Sequence, residues 1–329
     1  MEFDRLKQEF MDCICSEADA IKRQCDYSLN GVSILMNDTV STAKYNECAM
    51  DVLCGSAFHF EIICGLKFRI SATAFFQINT VSAERLYETA AQWAMSAQQN
   101  SKQKKKKKTV VFDICCGTGT IGLCIAKLCG SNIKKVIGLE LIEEAVNDAR
   151  FNAQSNGFSN AVFVAGKAEA TLQRMLDSEV GVTDSVVAIV DPPRCGVHKD
   201  ICKVLRAQSR IERIIYVSCN SASCINDALK LCQTPSKKTV GTPFKPVCAI
   251  GVDLFPHTEH VEMLMHLERC ADSEIDWTQL SHQAKESHRK YLYAEQQKDK
   301  AKLMKLVTTQ GQSEMDEIGK RDFFWKTRN

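Results

Sequence analysis

From residue 109 onward, short apolar runs alternate with amphipathic stretches. Residues 109–115, 134–140, 161–165, 185–190 and 211–218 are apolar and β-branched over strand length. Each is followed by a helical spacing of apolar positions, at 120–129, 143–155, 168–178, 199–208 and 222–232. Strands that are apolar throughout, rather than on alternate positions, are covered on both faces, so this repeat predicts an α/β fold with a doubly wound, mostly parallel, Rossmann-like sheet. Two further strand-like runs, 248–255 and 260–267, lie close enough to add an antiparallel hairpin at one edge. Ahead of the repeat, 80–98 reads as a helix with Thr80 as cap, Glu84 in its first turn and Leu86, Ala90, Trp93 and Ala97 as its apolar stripe. Residues 3–21 read as an opening helix, followed by strands at 27–36 and 58–70. The expected division is a partial N-terminal lobe at 1–70, the α/β domain at 71–270, and a charged tail at 271–329 whose stretch from 275 to 306 has helical spacing.

Composition narrows this little. In 329 residues, 45% are apolar and 25% charged, ordinary for a soluble globular chain, and a net charge of +2 does not by itself announce a nucleic-acid partner. Basic surface must come from local clusters, namely 102–108 and the tail. The lysine run joins a helix to a strand and reads as a solvated surface insertion, with phosphate contact and nuclear import as the other readings. The 17 cysteines are odd in number, scattered, and contain no C-x-x-C pair; Cys13/Cys15 and Cys115/Cys116 have the wrong spacing for zinc. Free thiols in a reducing compartment and no metal are therefore expected. Acids in the first seven residues argue against a targeting peptide, and no apolar run approaches the about 18 residues of a membrane span. A cytoplasmic monomer is expected, with the nucleus as second location and no membrane contact.

In a doubly wound sheet, ligands bind beyond the carboxyl ends of the strands. The first strand ends in Asp113-Ile-Cys115-Cys-Gly117-Thr-Gly119-Thr120-Ile-Gly122, whose glycines let backbone approach a nucleotide while opening the next helix. NAD, FAD and S-adenosylmethionine share that spacing. Glu140 closes the second strand, where a carboxylate can accept both hydrogen bonds of a ribose diol. The fourth strand ends Asp191-Pro192-Pro193-Arg194, and two prolines stop the strand abruptly and hold Asp191 toward the cleft. Dehydrogenases have no use for that device; methyltransferases acting on nucleobases do. The fifth strand ends Ser218-Cys219-Asn220, which puts a thiol at the same rim. Uracil C5 is a poor nucleophile, and a thiolate added to C6 would make it reactive toward a methyl sulfonium. A base must then remove the C5 proton. Glu262, beside apolar residues after a turn around Pro256, is the candidate, with a raised pKa expected from desolvation. Glu259 is its exposed competitor, His257 and His260 lack a third ligand, and Cys224, one turn into a helix, reads as core.

Together these residues resemble the uracil-C5 RNA methyltransferase family, the enzymes that make 5-methyluridine in tRNA or ribosomal RNA. The likeness runs from about residue 67 to 268. It rests on Phe68-Arg-Ile-Ser, Phe76-Gln77-Ile-Asn79, the glycine loop, Asp191-Pro-Pro-Arg194-x-Gly196, Ser218-Cys219-Asn220 and Phe255-Pro-His-Thr-x-His-Val-Glu262. It implies S-adenosylmethionine as cofactor and RNA as partner, tRNA foremost. It also implies a cofactor pocket lined by Gln77, Cys115, Gly117, Gly119, Thr120, Glu140 and Asp191, with Cys219 as nucleophile, Glu262 as base, and Asp191 and Arg194 near the uracil. Detail around Phe68, Asp191 and Val252 is similar to the animal cytosolic branch that acts on the tRNA T-loop. Two departures stand out. Ser221 occupies the family's proline position, where it can cap the next helix. Members also carry an N-terminal RNA-binding module, and some an iron–sulfur cluster there; this chain is expected to begin inside the central lobe, without a cluster.

Three rival readings remain. A cytosine-C5 enzyme would place a Pro-Cys pair at the fourth strand, whereas Cys195 follows Arg194. An adenine-N6 enzyme would place an aromatic residue after the prolines. A tRNA-binding or folding factor with weak or lost methyl transfer would not need Cys219 and Glu262.

Overall fold

A computed structural model describes residues 2–24, 31–35, 50–99, 108–236, 239–275, 278 and 281–309. In chain order the elements are helix α1 (Glu2–Gln24) and the strands β1 (Gly31–Leu35), β2 (Met50–Gly55), β3 (Phe58–Ile63) and β4 (Leu66–Ser71). Helix α2 (Thr80–Gln99) leads to β5 (Thr109–Ile114), α3 (Thr120–Cys129), β6 (Ile133–Glu140), α4 (Glu143–Ser155), β7 (Ala161–Ala165) and α5 (Ala168–Glu179). Then follow β8 (Ser185–Val190), α6 (Lys199–Ala207), β9 (Ile211–Ser218), α7 (Ser221–Cys232), β10 (Phe244–Val252), β11 (Glu262–Arg269) and α8 (His282–Thr309). The lysines at 102–107, the tail beyond 309 and parts of the expected strand at 27–36 lie outside the described residues.

The main sheet has seven strands in the order β10-β11-β9-β8-β5-β6-β7. Strands β5 to β9 pair in parallel, while β11 runs antiparallel to β9 and β10 antiparallel to β11. The chain winds outward from β5 to β7 and then returns to β8 on the other side of β5, so the order reverses between β5 and β8. Alternate side chains of each strand feed two cores. Val111, Val136, Val187, Ile189, Ile215 and Val217 meet α2, α3 and α4. Val110, Phe112, Ile114, Val186, Ala188 and Tyr216 meet α5, α6 and α7. Every residue of β5 and β8 is buried, which is why these strands read as continuous apolar runs.

Helix α4 holds β4 by its side chains. Asn152 accepts the Arg69 N–H at 2.7 Å and returns its amide to the Arg69 carbonyl at 3.1 Å, and Asn156 does the same for Lys67 at 3.0 and 2.8 Å. Asp148 adds an ion pair with Arg69 at 2.7 Å and accepts the Ser71 N–H at 3.0 Å. Spaced four apart on one face, these side chains satisfy the edge of β4 as a neighbouring strand would. The Asn152 amide also reaches the Thr118 carbonyl at 3.1 Å, joining β4 to the glycine loop.

The structure departs from the sequence reading at several points. Residues 58–70 form a hairpin, not one strand: Cys64 and Gly65 both have positive φ, 51° and 69°, as a two-residue turn of the primed type needs. Strand β2 was not foreseen; it pairs with β1. The last hairpin starts at Phe244 because β10 is an outer strand, mostly exposed, whose weak apolar signal and Pro246 concealed it. The stretch before Glu262 remains a turn through Val261. Helix α2 is capped by the Asn79 side chain, which accepts the Ser82 N–H at 3.2 Å, rather than by Thr80. Its buried face is Ala83, Leu86, Tyr87, Ala90, Ala91, Ala94 and Met95; Trp93 is half-buried and the Ala97 side chain lies outside the described residues. Helix α8 overlaps the expected 275–306 stretch but begins later, at His282, and ends later, at Thr309.

Gly138 tests the packing between β6 and the glycine loop. A Cβ there would fall 2.2 Å from a Phe163 ring carbon and 2.8 Å from the Cys116 sulfur. Gly138→Ala is expected to lower stability by about 1–3 kcal/mol, read from the urea midpoint. An unchanged midpoint would show that the ring yields without cost.

Candidate active site

The carboxyl ends of β5, β6, β8 and β9 emerge at one rim, and the antiparallel β11 enters that rim with its amino end. Pairing of Val190 with both Ile114 and Tyr216 sets the strand ends level, and the Asp191 N–H continues the ladder to the Ile114 carbonyl at 3.2 Å. Met263 pairs with Ser218, so the next pair outward is Glu262 and Cys219. The sheet register thus places a carboxyl opposite a thiol.

Burial dominates the electrostatics. Glu262 is 2% exposed, and desolvation pushes its carboxyl up to about 7. Asp191 is raised well above the usual carboxylate range by burial, then by Glu262 and Asp113. Asp113, fully buried in β5, rises to about 7 through burial, although the Gly122 N–H donates to it at 2.8 Å. Its Oδ1 has no hydrogen-bond partner among the described residues. The Cys219 thiol, half-buried, is raised by burial and by Glu262; the positive charge of Arg194 opposes this.

The glycines of the loop have different tasks. Gly117 has φ 52° and nothing within 4 Å of where a Cβ would stand, so it faces open space. A Cβ on Gly119 would instead meet the Phe163 ring at 2.8 Å, and one on Gly122 would meet Asp113 Oδ2 at 2.8 Å. Packing therefore excludes a side chain at Gly119 and Gly122, while Gly117 leaves its side open. Glu140 turns to this loop: Oε2 accepts the Gly117 N–H at 3.0 Å, and Oε1 accepts from Leu141 and Ile142 at 2.7 and 3.1 Å. Each oxygen has a second lone pair, so Oε2 retains acceptor capacity.

Cys115, at φ 63°, carries a thiol that burial pushes up to about 12, so it stays neutral. Thr120 opens α3 with its hydroxyl 2.9 Å from that of Thr118. Gln77 is buried in the connection between β4 and α2. Cys224 is fully buried, and His257, Glu259 and His260 are exposed in the turn before β11. Asn220, not Ser221, caps α7, accepting the Ala222 N–H at 3.1 Å. Among the described residues, no group of three or more His, Cys, Asp or Glu could hold a metal, and no helix is long and apolar enough to cross a membrane.

Two acids escaped the sequence reading. Asp113 lies inside an apolar strand, and a carboxylate in that setting is itself a signal. Asp227 interrupts the inward face of α7 between Cys224 and Leu231, and it is 2% exposed.

A doubly wound sheet with an open glycine loop after its first strand, a carboxylate after the second, and a thiol facing a desolvated carboxyl at the far ends defines a Rossmann-like domain built for group transfer. Residues 105–311 match the family model described as "Methyltransferase domain", and the chain belongs to that family. It is 42% identical over 223 residues to tRNA (uracil-5-)-methyltransferase homolog A of Mus musculus, covering 68% of this chain and 34% of that protein. Against the human homolog A it is 44% identical over 209 residues, 64% of this chain and 31% of that one. With homolog B of Danio rerio it shares 36% over 234 residues, 70% and 46%. The chain thus spans 31–46% of the length of these relatives.

The raised acid makes a stability prediction. A carboxyl whose folded pKa is about 7 stabilises the fold below its unfolded value, and loses that contribution as pH rises through 7. Glu262→Gln, neutral at every pH, is expected to exceed wild type in stability by roughly 1–3 kcal/mol near pH 8, the gap closing near pH 5. Thermal melts at both pH values decide; a gap independent of pH would refute desolvation as the cause.

Proposed function

We propose that the chain transfers a methyl group to C5 of a uridine in RNA, through a covalent adduct on Cys219 with Glu262 as base. The observation that carries this reading is the β9–β11 register, which sets Cys219 against Glu262, with the charge of Arg194 favouring the thiolate. A thiol facing a carboxyl that titrates near neutrality is what addition to a base followed by proton removal requires.

The cofactor is S-adenosylmethionine, which supplies an electrophilic methyl group. The residues fit an adenosine-containing ligand: Gly117 leaves its side open, and Glu140 stands beside it with acceptor capacity. Gln77, Cys115, Gly119, Thr120 and Asp191 complete the pocket. Cys219, as thiolate, forms a bond to C6 of uracil and sends the C5–C6 electron pair toward the C4 carbonyl, which makes C5 nucleophilic. Arg194 favours the thiolate by charge. Once C5 is methylated, Glu262 as carboxylate accepts the C5 proton; the electron pair left behind re-forms the C5–C6 double bond and expels the Cys219 thiolate. Both residues must lose a proton to act, so the rate is expected to rise with pH through about 7, where Glu262 ionises.

The names of the relatives support tRNA as the substrate, and the T-loop uridine is the proposed position. The chain acts in the cytoplasm on this reading.

Labelled S-adenosylmethionine and unmodified tRNA test it. Wild type is expected to incorporate label and Cys219→Ala to fall to background. Glu262→Gln is expected to slow turnover by about 10²–10⁴-fold and to accumulate a protein–RNA adduct that survives denaturing gels. Equal incorporation by Cys219→Ala would remove the thiol from the mechanism. No incorporation by wild type would favour a binding or folding factor.

A further inference from the structure

The segment 191–197 carries Arg194 past Cys219, and its backbone is tied down at two places. The Asn220 amide donates to the Arg194 carbonyl at 3.1 Å. Three residues on, the Val197 N–H donates to Asp227 Oδ2 at 2.8 Å. That same oxygen accepts the Tyr216 hydroxyl at 2.7 Å, while Oδ1 pairs with Lys230 at 2.7 Å. Tyr216 belongs to β9, the strand that ends in Cys219. One buried carboxylate on α7 therefore fixes both the segment that carries the guanidinium and the strand that carries the thiol.

The fit at Asp227 is close. Gly196 sits at φ 80°, and a Cβ there would fall 2.5 Å from Asp227 Oδ2. The turn bond from Gly196 N–H to the Pro193 carbonyl, at 2.8 Å, brings the chain back over α7. Burial and Asp227 hold the Tyr216 phenol protonated, so it remains a donor. Two donors converging on one oxygen, both from elements that frame Cys219, exceed what filling space on a helix face requires.

We propose that Asp227 is a positioning residue for the nucleophile, holding the 191–197 segment against β9 so that the Arg194 guanidinium faces the Cys219 sulfur. This rests on the reading of Cys219 as nucleophile. Asp227 acts through geometry: Arg194, Glu262 and Asp191 bear on the thiol by charge, whereas Asp227 bonds to the backbone of Val197 and the phenol of Tyr216 on either side of it. Releasing Val197 lets the guanidinium drift, and the thiol then loses the cation that favours its ionised form.

The test is the rate at which iodoacetamide alkylates Cys219, followed by mass spectrometry of its peptide between about pH 6 and 10. Asp227→Ala is expected to slow alkylation near pH 8 by roughly threefold to tenfold and to move the profile to higher pH, as loss of a charge-assisted hydrogen bond would. Asp227→Asn keeps an acceptor for Val197 and Tyr216 and should recover most of the rate. Arg194→Ala should reproduce the loss, and adding it to Asp227→Ala should cost little more, since both remove one interaction. Should Asp227→Ala fail to fold, Gly196→Ala displaces the segment from the other side and is expected to give the same shift. A profile that superimposes on wild type in either folded variant overturns the proposal, as do fully additive effects of Asp227→Ala and Arg194→Ala. Because alkylation needs no RNA, a shifted profile in a protein that methylates nothing would leave the clamp standing and sink only the covalent reading.

Discussion

A parallel sheet covered by helices on both faces has one rim where polar chemistry can reach solvent, and the rest of this molecule follows from that constraint. β5 and β8 are buried along their whole length, so groups that must meet a ligand collect where the strands end. The antiparallel β11 is the essential addition. Running against β9, it delivers its first residue to the place where β9 delivers its last, so a residue remote in sequence from Cys219 becomes its cross-strand neighbour.

Crowding at this rim sets its charge state. Asp113, Asp191 and Glu262 are raised mainly by burial, and Asp191 also by the other two, with Arg194 as the cation beside the thiol. Ionisation of Glu262 or Asp113 thus opposes that of Asp191. The rim therefore holds protons close to neutral pH that isolated carboxyls would have given up. That is a costly arrangement for the fold and a useful one for a base.

Much of this was legible in the sequence because it depends on local pattern. Apolar strands followed by helices announce the doubly wound sheet, and residues at strand ends announce the rim, so Cys219, Asp191 and Glu140 could be placed from spacing alone. What was not legible depends on partners distant in sequence. Nothing local says that Gly119 is required by Phe163 while Gly117 faces space. Nothing near Asp227 says that it receives a tyrosine from β9 and an amide from the segment after β8. Strands β2 and β10 were missed or misplaced because outer strands carry half an apolar face or less. The 58–70 turn was missed because Cys64, an unusual residue at positive φ, masks the turn signal.

The attachment of β4 to α4 has a further meaning. Asn152 and Asn156 grip the main chain at Arg69 and Lys67, and among those contacts only the ion pair from Asp148 addresses a side chain. A joint that reads backbone is indifferent to most of the sequence it holds. An extended strand of the right length meets the same donors and acceptors there whatever side chains it carries. Because Asn152 also grips Thr118, whatever docks there would be registered directly to the loop before α3. The helix works as a socket for main chain, set against the same loop that opens α3.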